Sequence, residues 1–144
     1  MFKRIAVAYN GSPEAARALA QAIDLARIHS AELRAVTARQ DLPPYTAYAV
    51  AADSSLSRAL IEDQQLHCAR LHSEARETAL REGVKLETHL LEGDAVDAIV
   101  RFLLDNKTDL LVIGLHRHPS RISRLWSTVY EVALDAPCSV LGVH

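Results

Sequence analysis

Ile5-Ala6-Val7-Ala8-Tyr9-Asn10-Gly11-Ser12-Pro13-Glu14 is the stretch on which the fold turns. Its first five residues are apolar on both faces, as in a central strand covered from both sides. Asn10-Gly11 is turn chemistry. Ser12 can cap a helix, Pro13 suits its first position, and Glu14 sits where the helix dipole favours an acid. A strand that runs through a tight turn into a helix is the opening unit of an α/β domain.

The same alternation continues along the chain. Ala15, Leu19, Ala22, Ile23 and Ala26 recur at helical spacing to about His29, and Leu33 to Ala38 reads as a second strand. Residues 39–52, with Pro43-Pro44, Tyr45 and Tyr48, lack a period and read as a loop. From Ser54 to Glu82 a helical pattern places Leu56, Leu60, His67, Leu71 and Ala75 on one stripe, and Gly83 stops it. Val84 to Leu90 alternates as a half-exposed strand. Gly93-Asp94 opens a helix that turns Ile99, Phe102 and Leu103 inward, with Asp94 as its cap. Leu110 to Ile113 is a buried strand ending at Gly114. A basic loop from Leu115 to Arg124 leads to a short helix that runs to about Asp135. Pro137 ends that region, and Cys138 to Val143 is the last strand.

The order β-α-β-α-β-α-β-α-β predicts one domain over residues 1–144: a parallel sheet with helices on both faces and right-handed crossovers. Ligands bind such sheets beyond the carboxyl ends of the strands, where the strand order reverses. That singles out residues 10–12 and 114–128.

Composition fits a single soluble domain. The chain has 144 residues, 49% of them hydrophobic, with 16 basic and 18 acidic side chains for a net charge of −2. A balance of this kind argues against a nucleic-acid binder. No apolar run reaches the length of about 20 residues that a membrane helix needs. The start, Met1-Phe2-Lys3-Arg4, does not read as a secretory signal. Two cysteines, Cys68 and Cys138, make no disulfide framework, and a cytoplasmic location is expected.

The two loops and their flanks carry a resemblance to the universal stress protein family over the whole chain. Lys3 to Ser12 resembles that family's strand followed by Asp-Gly-Ser. Glu92-Gly93-Asp94, Asp109 to Gly114 and Ala136-Pro137-Cys138-Ser139-Val140-Leu141 match in order and spacing. The resemblance implies an open five-stranded sheet of order 3-2-1-4-5, a crevice between the first and fourth strands, and a homodimer formed through the last strand. Many members bind ATP, and others do not. The ATP-binding branch carries Gly-x-x-Gly, a nine-residue spacer, then Gly and Ser or Thr. Laid on this chain, that pattern falls on Gly114, Arg117, Ser127 and Thr128. Arg117 and Ser127 replace glycines, and Asn10 stands where the branch has Asp.

The implied site is therefore Asn10 near ribose or phosphates, the Ala38 backbone toward adenine, and Gly114, Arg117, Ser127 and Thr128 at the phosphates. A glycine there would allow positive φ and close approach, which Arg117 does not, and Pro119 removes an amide donor. Arg117, Arg121 and Arg124, with His116 and His118 beside them, offer charged donors instead. A solvated loop or a protein contact explains the same charge, and plain turn chemistry explains Asn10. Two histidines one residue apart do not make a metal site, so none is assigned. His67 reads as a core or rim histidine, and His29 and His89 as surface residues. Cys138 reads as a buried, inert thiol. Tyr45, Tyr48 and Trp126 suit either a ligand pocket or core cover. No nucleophile elbow, zinc-protease helix or full phosphate loop is present, so enzyme chemistry is disfavoured. Two readings lead: a stress-response module whose crevice takes ATP or another phosphorylated small molecule, and a homodimeric interaction protein with a vestigial crevice; a slow ATP hydrolase is the least favoured third, because no base or metal carboxylate can be named for it.

Overall fold

A computed structural model describes residues 1–38, 54–116 and 128–144. Its elements are β1 (Arg4–Ala8), α1 (Pro13–His29), β2 (Glu32–Ala38), α2 (Ser54–Arg81), β3 (Leu86–Leu91), α3 (Ala95–Asp105), β4 (Leu110–Gly114), α4 (Thr128–Asp135) and β5 (Ser139–Val143). The five strands form one sheet in the order β3-β2-β1-β4-β5, and every pair is parallel. The expected order 3-2-1-4-5 is therefore the observed one.

The apolar strands are explained by what covers them. Ile5, Val7, Leu33, Ala35, Leu110 and Val112 face α1 and the second half of α2, packing on Leu19, Ile23, Ala75 and Ala79. Ala6, Val36 and Leu111 face the other way, onto Ile99, Phe102, Leu103 and Val132 of α3 and α4. Successive residues point to opposite faces, so a strand covered on both sides is apolar throughout. The buried side of α1 carries Ala15, Ala18, Ala22 and Ala26. Side chains that small let the helix lie close to the sheet.

The helix starts follow the sequence signals. Ser12 Oγ accepts from Ala15 N–H at 3.2 Å, and Asp94 Oδ1 accepts from Asp97 N–H at 3.1 Å. Gly11 adopts φ 79°, a backbone state that disfavours any side chain.

Three expectations change. The face of α2 turned to the sheet carries buried His72, Ala75 and Ala79, with Gln64, Cys68 and Leu71 half-buried. His67 lies exposed beside that face. His89 is not a surface residue. Its ring packs on Phe102, with centroids 4.9 Å apart, because α3 covers that side of the edge strand. The regular ladder of β3 begins at Leu86, and Val84 is buried just ahead of it. The expected loop 39–52, with Tyr45 and Tyr48, lies wholly outside the described residues. So do His118, Pro119, Arg121, Arg124 and Trp126.

Candidate functional site

β1 and β4 are neighbours, but their following helices lie on opposite faces of the sheet. α1 packs with α2 on one side and α4 packs with α3 on the other. The chain therefore parts above the carboxyl ends of these two strands, which opens a crevice of about 320 Å³. Asn10, Ala38, Gly114 and Thr128 all line it, so four of the residues singled out from sequence meet at one place. Arg117 and Ser127 lie outside the described residues. Tyr9, Ser12 and Ala15 complete the α1 side, and Ile99, Ile113 and Val129 form an apolar wall opposite.

The local geometry assigns each side chain a task. Asn10 Oδ1 accepts from Ser12 N–H at 3.0 Å, which folds the turn back on itself and fixes the entry to α1. The turn reading of Asn10 is thus correct whatever else the residue does. Gly114 serves packing: a Cβ there would come within 2.5 Å of the Glu14 carbonyl group and 2.9 Å of Ala15 N. Its φ is not positive. What the position requires is close passage of β4 beneath the first turn of α1, which brings a helix N-terminus to the crevice. α4 begins at Thr128 on the opposite side. Two helix starts thus face one cleft, each with the positive end of its dipole.

Two interactions near the crevice join residues distant in sequence. His116 Nδ1–H donates to Glu14 Oε1 at 3.1 Å. This ties the segment after β4 to the start of α1. Glu14's own backbone N–H and the His116 ring hold its carboxyl below the ordinary range. The second interaction lies under the floor. Thr37 Oγ1 donates to the Tyr9 carbonyl at 2.7 Å, and the same oxygen accepts from His72 Nε2–H at 2.9 Å. Tyr9 N–H donates to Val36 O at 2.9 Å. The backbone leading into Asn10 is therefore held from β2 and, through Thr37, from α2. Burial keeps the His72 ring below its usual pKa, and the charges of Arg76 and His89 act in the same direction.

His89 Nε2 is buried. It lies 3.0 Å from Glu87 Oε1, but the approach is misaligned for a hydrogen bond. Cys138 is half-buried at the edge of the core, and burial raises its pKa, as an inert thiol requires. A larger and more open depression of about 840 Å³ lies at the amino ends of β2 and β3. Of the basic residues that line it, Arg27 and Arg34 are paired with Asp24, Glu82, Glu32 and Glu87, Arg76 donates to Thr88 Oγ1 at 2.7 Å, and the fourth is Lys85. Among the described residues no helix start lines it, so the crevice is the better candidate despite its smaller size. Among the described residues, no cluster of His, Cys, Asp or Glu could hold a metal ion.

A model of the universal stress protein family matches residues 1–144. This chain belongs to that family. A universal stress protein from Thermus aquaticus is 34% identical over 149 residues, with 100% of both chains covered. Among solved structures, a universal stress protein in complex with cAMP is 26% identical, with a TM-score of 0.78 over 99% of this chain and 97% of its own. The universal stress protein from Archaeoglobus fulgidus in complex with dAMP has the same fold, with a TM-score of 0.72 at 21% identity over 99% of this chain and 98% of its own.

The Glu14–His116 and Thr37–His72 pairs of this family member are not apparent from its sequence. Their partners are 102 and 35 residues apart, and no local pattern joins them. The one available signal was Glu14 directly after Ser12-Pro13, which fixes a carboxylate in the first turn of a helix beside the ligand end of the sheet.

Proposed function

We propose that this universal stress protein is a nucleotide-binding module, and that its crevice takes ATP or a related adenine nucleotide. The observation that carries this reading is the meeting of Asn10, Ala38, Gly114 and Thr128 around one cleft between two helix starts. Helix N-termini favour phosphate through the positive end of the dipole. The relative in complex with cAMP supports a nucleotide as the ligand class. In this reading the phosphates lie at the Gly114–Thr128 end, where Arg117 and Ser127 add side-chain contacts. Asn10 engages ribose or phosphate, and the Ala38 backbone meets the base. Binding rather than turnover is the proposed activity: among the described residues that line the cleft there is no carboxylate and no histidine. The protein acts in the cytoplasm, and among the described residues no helix is long and apolar enough to cross a membrane.

Mass spectrometry of small molecules released from purified, undialysed protein, followed by calorimetry with ATP, AMP and cAMP, tests the reading. Recovery of an adenine nucleotide and measurable heats are expected. A blank in both experiments overturns it.

The alternative is an interaction protein that works through a homodimer with a vestigial crevice. It is favoured by β5, an edge strand whose Leu141 is exposed. Unpaired strand edges recruit partners. Leu141→Pro removes an edge amide and is expected to shift a dimer toward monomer in sedimentation velocity. A wild-type monomer at tens of micromolar, about the range of a weak dimer, would remove this interface.

A further inference from the structure

The turn that walls the crevice is held from behind by α2. Tyr9, Asn10 and Ser12 line the cleft. Within the turn, Asn10 Oδ1 accepts from Ser12 N–H. From outside, two consecutive residues of α2 act on the neighbours of Asn10. Leu71 sits over Gly11, where an added Cβ would run into its side chain. His72 reaches the Tyr9 carbonyl through the buried Thr37 hydroxyl. This relay has a fixed direction. A carbonyl oxygen only accepts, so Thr37 gives its one hydroxyl hydrogen to Tyr9 O, at 2.7 Å. Thr37 Oγ1 is then an acceptor toward His72, and the ring nitrogen 2.9 Å away carries a hydrogen. The neutral His72 ring is therefore the Nε2–H tautomer, and Nδ1 is the nitrogen that titrates. Filling the space would need only an apolar side chain. What imidazole adds is a directed donor.

We propose that His72 is a positioning residue for the crevice: acting through Thr37, it holds the Tyr9–Gly11 turn in the shape that binds ligand, so that the seating of α2 sets nucleotide affinity. Neither His72 nor Thr37 lines the crevice, so both act without touching the ligand. The inference rests on the crevice reading above for its ligand and on contacts of the ligand-free fold for its geometry. Coupling between two parts of a molecule is reciprocal, so a bound nucleotide also steadies α2.

The test combines NMR of the ligand-free full chain with calorimetry. At about pH 7.5, above the ordinary histidine pKa, the His72 ring is expected to carry hydrogen on Nε2 and none on Nδ1. His72→Leu and Thr37→Val each cut the relay. Each should quicken amide exchange at Tyr9 and Ser12, whose N–H groups donate to Val36 O and Asn10 Oδ1. Each should also weaken binding of ATP, AMP or cAMP about fivefold, and the double variant should do little worse than either, because both act on one relay. His72→Gln keeps an N–H at similar reach and Thr37→Ser keeps the hydroxyl, so both should recover most of the loss. Ala79→Gly is the control for stability alone. Ala79 is buried on the same face of α2, two turns beyond His72, and glycine weakens a helix there, so the protein should melt earlier with its affinity unchanged. An Nδ1–H tautomer overturns the relay. So does wild-type affinity in His72→Leu, or an affinity loss that Ala79→Gly matches or that His72→Gln and Thr37→Ser fail to relieve. The crevice reading survives each of these. If wild type binds none of the three nucleotides, the crevice reading falls and takes this inference with it.

Discussion

The two rims of the sheet are built on opposite plans. At the amino ends of the strands, charge is matched by charge. Asp109 accepts from the backbone of Lys3 at 2.8 Å and of Arg4 at 3.1 Å. Arg34 contacts Glu32 and Glu87 and donates to Asn106 Oδ1 at 2.8 Å, while Arg27 bridges Asp24 and Glu82. At the carboxyl ends, small residues and turns bring backbone together, and helix starts point into open space. Among the described residues the ion pair there joins Glu14 to His116. A rim whose charges are paired has little left to offer a ligand. A rim with helix starts facing a cleft and little side-chain bulk does. Area and volume do not identify the site, since the more voluminous depression lies on the paired rim.

The sharpest way to break this contrast is to put a side chain on Gly114. Gly114→Val drives a branched Cβ into the Glu14 carbonyl, where backbone cannot yield cheaply. A loss of about 3 kcal/mol or more is expected in urea unfolding, together with loss of any nucleotide binding. Retention of wild-type stability would show that β4 and α1 are not locked together there.

Next in size is His72→Leu. It removes the donor to Thr37 and loosens the support beneath Tyr9, costing about 1 kcal/mol by the same measurement. The pH dependence sharpens the point. The native ring has a pKa below its ordinary value of 6.5, chiefly through burial. Its contribution to stability is therefore complete above about pH 6.5, where the unfolded chain is also neutral. It is lost as pH falls from there toward the lower native value, because the unfolded ring takes up a proton first. Thermal melts between pH 7.5 and 5, about the range over which histidine titrates, should show wild type losing more Tm than His72→Leu. Parallel curves would place the acid sensitivity elsewhere.

A smaller effect is expected from Glu14→Gln. The sequence predicts that His116 strengthens anion binding in acid, but its ring faces the Glu14 carboxylate, which offsets that charge locally. Glu14→Gln removes that carboxylate and should raise phosphate affinity a few-fold, measured by calorimetry. An unchanged affinity would detach this pair from the ligand.

The smallest expected change belongs to the paired rim. Arg27→Ala breaks two contacts between groups that are each about half exposed. It should shift stability by no more than about 0.5 kcal/mol and leave nucleotide affinity unaltered. A larger shift would show that this rim depends on its ion pairs.

How far the sequence could be read follows from the range of the forces involved. The strands were legible because burial on both faces leaves a local trace, as in Ile5 to Ala8 and Leu110 to Ile113. The turns were legible because Asn10, Ser12 and Asp94 act on amides two or three residues away. The inward face of α2 was not. Leu66 and Leu80 are exposed and His72 is buried, so apolar periodicity pointed to His67. Only the Thr37 hydroxyl, contributed by another element, makes a buried imidazole acceptable there. Gly114 was read as a phosphate glycine, whereas its need for a bare Cα comes from Glu14, 100 positions earlier in the chain.

The wall between β1 and β4 has a further consequence for synthesis. Ile5, Ala6 and Val7 pair with Leu110, Leu111 and Val112, so the cleft is assembled from the first and last thirds of the polypeptide. At roughly 5–20 residues per second, a ribosome extends the chain for several seconds with β1 already made and one of its edges unpaired. Until β4 arrives, that apolar edge is a place where a nascent chain can pair wrongly or need a chaperone's shelter. A product truncated before Leu110 keeps the Asn10 turn and lacks the strand that makes it one side of a cleft.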